Sequence, residues 1–354
     1  MVDWIDQPLA NISAALKDGK LSAIDLNEQA IDRHNIWDDQ FKAYKTWDSK
    51  IIRELAKTAD NAFKTGKYLG QLQGIPISVK DLYGVEGYPV FAGSPKRLPP
   101  EYEAQGPIIS AVREQLCVIS GKTHTVEFAF GGLGTNPHWG TPRNPWDAEN
   151  HRIPGGSSAG AGVSLLEGSA LIAFGTDTGG SVRIPASMTG NVGIKNTRGR
   201  WSTKGIVPLS TMFDTPGILA KTVADAVFAF ENIDPKRRQI DIPIVARDIN
   251  TITIATSKDF FWDHCQDDIA SVIENVIAEL SAAGAKTTNI ELPEAHEAVR
   301  VMAKGTIAAT EGYQHLLNKL PDWIDTLDPN VASRMLAGRD AKASDYQKAL
   351  RQVE

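Results

Sequence analysis

Apolar positions along the chain follow two rhythms, a helical one in the flanks and a strand-like one toward the middle. Ile24, Leu26, Ala30 and Ile31 recur at helical spacing after Ser22, which predicts a helix capped by that serine and running through about His34. Asp48 likewise precedes a predicted helix through about Lys64, so residues 1–66 read as an N-terminal helical layer. The run Gly74-Ile75-Pro76-Ile77-Ser78-Val79-Lys80-Asp81-Leu82 is strand-like and ends in paired charges. Helices are predicted at Pro107–Gln115 and Ser158–Glu167, and strands at Leu116–Ser120 and Ala170–Phe174. Such alternation argues for an α/β fold: a mixed β-sheet core, over residues 67–232, flanked by helices on both faces. The polar and basic stretch Asp234–Asn250 marks an insertion or a subdomain boundary. Beyond it a strand (Thr251–Ala255), a helix (Gln266–Ala283) and a strand (Lys286–Glu291) resume the alternation, and Glu294–Glu354 is mostly helical in pattern. Residues 233–354 are thus an α/β and helical C-terminal part, and all three sections are assigned to a single domain, 1–354.

Glycine sharpens the picture. Of 30 glycines, 17 lie between Gly131 and Gly217 and four between Ile218 and Glu354, which places the chemistry in the middle third, where backbone must turn tightly or approach a ligand. Lys and Arg number 37 against 43 Asp and Glu, a net charge of -6. The overall field therefore opposes direct contact with nucleic acid or an anionic membrane. The apolar runs are strand-length, the N-terminus has acidic residues where a secretory leader is basic, and Cys117 and Cys265 match no metal spacing. A cytoplasmic protein is expected.

Three familiar signals fail on context. Gly121-Lys122-Thr123 ends like a phosphate-binding loop, but Leu116 stands where its first glycine belongs. His296-Glu297 opens like a zinc-protease helix, but Arg300 replaces the second histidine, and no pair among the seven histidines has ligand spacing. No metal site is expected. Gly156-Ser157-Ser158-Ala159-Gly160 fits the nucleophile elbow centred on Ser158, yet Glu149-Asn150-His151-Arg152-Ile153-Pro154 is a poor central strand to precede it.

Three pieces remain: Lys80, the segment Gly155–Gly162, and Gly175-Thr176-Asp177-Thr178-Gly179-Gly180-Ser181-Val182-Arg183-Ile184-Pro185. Two glycines before a serine allow successive N–H groups to converge on one point, which suits an oxyanion hole and equally suits a phosphate loop or a tight turn. A nucleophilic serine needs a base, and no histidine lies in these pieces. Lysine serves only when neutral, which burial can bring about by disfavouring the ammonium. In an extended strand Lys80 and Asp81 point to opposite faces, so the carboxylate next in sequence need not hold the lysine charged. A solvated lysine at a strand end is the competing reading.

Together the pieces resemble the amidase signature family of serine hydrolases. The likeness extends through Gly193-Ile194-Lys195, Gly199-Arg200 and Phe213-Asp214-Thr215-Pro216-Gly217 and covers at least Leu72 to Val223. It implies a Ser-Ser-Lys triad with Ser181 as nucleophile, Ser157 as bridging serine on a non-proline cis peptide after Gly156, and Lys80 as base. Thr178, Gly179 and Gly180 are implied as oxyanion-hole donors, and Ser158, Asp177 and Arg183 as supporting residues. Two positions depart from the family pattern: Ala159, where Gly or Ser is usual, and Asn196, where proline is frequent. Family members also continue into a C-terminal section that adds strands and lines the pocket, whereas this sequence stops at Glu354.

The resemblance implies cleavage of a small-molecule carboxamide to a carboxylate and ammonia or amine through an acyl-enzyme, with no cofactor. Two alternatives stay open at this point. One is a GatA-like amidotransferase subunit that supplies ammonia to a partner acting on charged tRNA; the other is an inactive truncated scaffold. Either a homodimer or a partner subunit completing the fold is expected.

Overall fold

The computed structural model describes residues 2–147, 149–237, 243–257 and 260–353. Its first elements are α1 (Leu9–Lys17), α2 (Ala23–Phe41), β1 (Tyr44–Trp47) and α3 (Ser49–Lys64). Ser22 caps α2 by accepting the Asp25 N–H, and Asp48 caps α3 by accepting those of Lys50 and Ile51. Next come β2 (Pro76–Lys80), α4 (Pro107–Glu114), β3 (Val118–Thr123), α5 (Ala159–Glu167) and β4 (Ile172–Asp177). The glycine-rich third closes with α6 (Arg183–Thr189), β5 (Val192–Lys195), β6 (Thr215–Ala220) and α7 (Val223–Ile233).

Six strands form one mixed sheet in the order β1-β3-β2-β4-β6-β5. β2 runs parallel to β3 and β4, while β1, β5 and β6 pair antiparallel. Residue alternation sends the sheet's side chains to two cores. Ile77, Val79, Ile172, Phe174 and Ile218 join Ile12, Leu26, Ile52, Val112 and Ala229 in one cluster, so α1, α2, α3, α4 and α7 all contribute to it. Their neighbours Ala173 and Leu219 enter another, with Ala161 and Leu165 of α5 and Ala186 of α6. Helices therefore cover both faces. Ser78 follows the second set, its hydroxyl 2.8 Å from that of Ser164 on α5, and Lys80 is next on that side of β2.

The remaining elements are β7 (Thr253–Thr256), α8 (Asp267–Ala282), β8 (Lys286–Asn289), α9 (Pro293–Ala303), α10 (Thr306–Lys319), α11 (Pro329–Ala337) and α12 (Ala343–Val353). The chain divides into two compact units. One contains residues 1–241 and 307–341; the other contains 242–306 and 342–354. The division falls within the polar stretch Asp234–Asn250, part of which lies outside the described residues. In the first unit, Tyr313, Leu316, Val331 and Met335 of α10 and α11 pack with Leu82, Val126 and Phe128 in a third apolar cluster. In the second, β7 and β8 resume the strand-helix-strand alternation but pair with each other as a two-stranded parallel sheet. Cys117, buried, belongs to the first unit, and Cys265, half-buried, to the second; neither is in a disulfide.

Candidate active site

β2 delivers Lys80 to a fully buried position. Its Nζ donates to Ser157 Oγ at 2.7 Å and to Thr176 Oγ1, near the end of β4, at 2.8 Å. Both acceptors are neutral hydroxyls, and desolvation pushes the ammonium down to about 7, against the opposing pull of Asp214 and Asp177. The next residue, Asp81, turns away, to a buried ion pair 3.1 Å from Lys122 and to the N–H groups of Phe91 and Ala92. Strand alternation thus gives the two charges separate partners.

Ser157 is fully buried in the turn before α5, and the Gly156–Ser157 peptide is cis. Gly156 N–H donates to Gly132 O at 2.8 Å, which ties this turn to the Gly131–Gly134 loop. Ser158 is equally buried and donates through its hydroxyl to the Ser181 carbonyl at 2.5 Å. That bond joins the loop before α5 to the loop before α6 and brings the residues after Lys80's partner up against Ser181. Ser181 itself follows β4 and is 8% exposed.

Asp177 organises the loop. Its carboxylate accepts N–H groups from Gly180 (2.7 Å) and Val182 (3.1 Å) and a two-pronged contact from the Arg183 guanidinium at 3.0 and 3.1 Å. Burial raises its pKa, but the Arg183 guanidinium and these N–H groups outweigh that and leave it below the usual carboxylate range. One expectation changes here. Gly180, at φ +135°, aims its N–H at Asp177 and not at an open site. The N–H groups of Thr178, Gly179 and Ser181 donate to no protein acceptor among the described residues, so the free donors around the Ser181 hydroxyl are these three.

Two residues without an assigned role in the sequence also belong to the site. Thr176 holds Lys80, and Asp214 accepts from the Thr178 hydroxyl at 2.6 Å. Asp214 stands in one of the segments that carry the family likeness, but its partner lies 36 positions away, and a long-range contact of this kind leaves no local pattern.

A cavity of about 310 Å³ adjoins this loop system, lined by Gly131, Gly132, Leu133, Asp328, Asn330 and Arg334 among others. Arg334, on α11, donates to Phe130 O at 2.8 Å and is exposed. A larger cavity of about 640 Å³ has Asp214, Arg198 and Trp201 in its wall, but neither Ser181 nor Lys80. Among the described residues no cluster of His, Cys, Asp and Glu could hold a metal ion.

Known proteins resemble this chain over most of its length. The profile of the Amidase family matches residues 25–352. The chain is 45% identical to 2-amino-5-chloromuconic acid deaminase of Comamonas testosteroni over 96% of its own length and 73% of that protein. It is 33% identical to a glutamyl-tRNA(Gln) amidotransferase subunit of Aromatoleum aromaticum over 83% of its length, spanning 63% of that protein. A crystal structure of an amidase, 30% identical, superposes with a TM-score of 0.89 over 98% of this chain and 77% of its own.

Proposed function

The chain belongs to the amidase family of hydrolases acting on C–N bonds, and from that premise we propose that it releases ammonia or an amine from a small substrate through a Ser181 acyl-enzyme. The observation that carries this reading is the buried Lys80 amine, 2.7 Å from the Ser157 hydroxyl in the loop system that holds Ser181. Neutral Lys80 takes the Ser157 proton as Ser157 takes that of Ser181, and Ser181 Oγ attacks the sp² carbon that bears nitrogen. For a carboxamide, the oxygen that becomes negative is held by the N–H groups of Thr178, Gly179 and Ser181. The proton then returns through Ser157 to the departing nitrogen, the C–N bond breaks, and water releases the carboxylate by the same relay. Asp177, Arg183 and Ser158 keep the loop in shape.

The identity to the Comamonas deaminase supports a small, acidic substrate, and Arg334 in the wall of the 310 Å³ cavity offers it a cation. A cytoplasmic location fits a chain with only two cysteines, neither of them in a disulfide; among the described residues no helix is long and apolar enough to cross a membrane. The amidotransferase reading rests on the lower, 33% identity to the Aromatoleum protein. One experiment separates the readings: ammonia release by the isolated chain from a panel of small amides and amino acids with and without carboxylates. Turnover that rises with pH through about 7 as Lys80 loses its proton, and that vanishes in Ser181→Ala, is expected. Turnover of glutamine that appears only when a partner is added overturns the hydrolase in favour of the amidotransferase.

A further inference from the structure

We propose that Asp214 is a positioning residue that orients the oxyanion loop through the Thr178 hydroxyl; this rests on the hydrolase reading above. The carboxylate is fully engaged. Oδ1 accepts from Thr178 Oγ1 at 2.6 Å, and Oδ2 accepts the N–H groups of Leu209 at 2.8 Å and Ser210 at 3.0 Å. The loop carrying it is fastened in turn to α10, where Glu311 Oε2 accepts from Ser210 Oγ at 2.6 Å and from Met212 N–H at 3.1 Å. Thr178 supplies one of the three free N–H groups next to Ser181, so the direction of that donor depends on a side chain held 36 residues downstream.

Asp214 also differs from its neighbours in how its charge is balanced. Two carboxylates act on Lys80 across the site, Asp214 and Asp177. Asp177 is matched by the Arg183 guanidinium 3.0 Å away. Asp81, the carboxylate next to Lys80 in sequence, is matched by Lys122 on the other side of β2. Among the described residues Asp214 has hydroxyl and N–H donors but no ion pair. Ionised, it opposes the desolvation that drives Lys80 toward neutrality, while burial raises the proton affinity of Asp214 itself.

Two variants separate the hydrogen bond from the charge. The probe is a fluorophosphonate reacting with Ser181 in the full chain, with the rate followed from pH 5 to 10 and the adduct mapped by mass spectrometry. Asp214→Asn removes the charge, so the acid-side midpoint of labelling moves to lower pH by roughly 1 unit, a shift that a purely structural loss does not produce. Thr178→Val removes the hydroxyl and keeps the charge: labelling slows by about 10- to 100-fold with the midpoint in place, and Thr178→Ser restores the rate. Wild-type labelling rates in Thr178→Val, or in Asp214→Asn at every pH, overturn the assignment while leaving the hydrolase intact. Wild-type protein that takes no label at Ser181 overturns both. Should Asp214→Asn fail to fold, the Thr178 pair decides.

Discussion

A lysine taken wholly out of water is costly as an ammonium, and Lys80 avoids the cost by giving up its proton. A fall from 10.5 to about 7 corresponds to roughly 4 to 5 kcal/mol of penalty when the group is charged in both folded and unfolded chains. The sign follows from linkage. Below pH 7 the folded protein bears the whole penalty; between about 7 and 10.5 the unfolded chain binds the proton that the folded one lacks, and the penalty fades as pH rises. Lys80→Met is therefore expected to abolish turnover yet raise the melting temperature at pH 6, with the gain shrinking toward pH 10. Scanning calorimetry across that range checks it, and a destabilised variant at pH 6 refutes it. At this scale the sequence was informative where strand alternation ruled: the opposite directions of Lys80 and Asp81 could be read from period two alone. It was silent where a backbone N–H had to choose a partner. The turn of Gly180 toward Asp177 depends on a φ of +135°, which the letter G permits without requiring.

Among the elements, α5 shows how closely the site is packed. A Cβ added at Gly160 would lie 2.0 Å from Ala43 O and 2.7 Å from His124 N, both backbone atoms flanking the sheet's β1 and β3. The other end of α5 is held by Glu167, whose Oε1 is 2.5 Å from His34 Nδ1 on α2. Gly160→Ala is expected to cost about 1–3 kcal/mol or more, because neither contact is with a flexible side-chain tip, and to slow turnover as the Ser157 turn shifts. Urea denaturation with parallel ammonia release measures both, and native stability would show that α5 has room to move. Long amphipathic helices and apolar buried strands were legible from hydrophobic spacing. β1 was not, since Tyr44-Lys45-Thr46-Trp47 is four residues long and carries a lysine within a helical section. β5 and β6, four and six residues long with a glycine in each, carry no clear period of their own.

For the molecule as a whole, the two compact units contrast in burial. Among the described residues the first has four apolar clusters; α8 in the second has no buried residue and exposes Ile269, Val272, Ile273, Val276 and Leu280 at helical spacing. A contiguous exposed apolar stripe of this kind favours association. Sedimentation velocity is expected to show concentration-dependent self-association, weakened by Val272→Lys with Val276→Lys, and a monomer at every concentration would count against it. The unit boundary within Asp234–Asn250 was visible as a change of composition. That the strand-helix-strand alternation beyond it builds a separate sheet was not, because hydrophobic periodicity specifies a strand's buried face and leaves its neighbours unspecified. The placement of the two thiols has a practical corollary. Cys117 is 3% exposed inside the first unit and Cys265 lies partly open in the second, so each sulfur is a natural, label-free sentinel of its own half: modification chemistry can time the loosening of either without engineering a reporter into the protein.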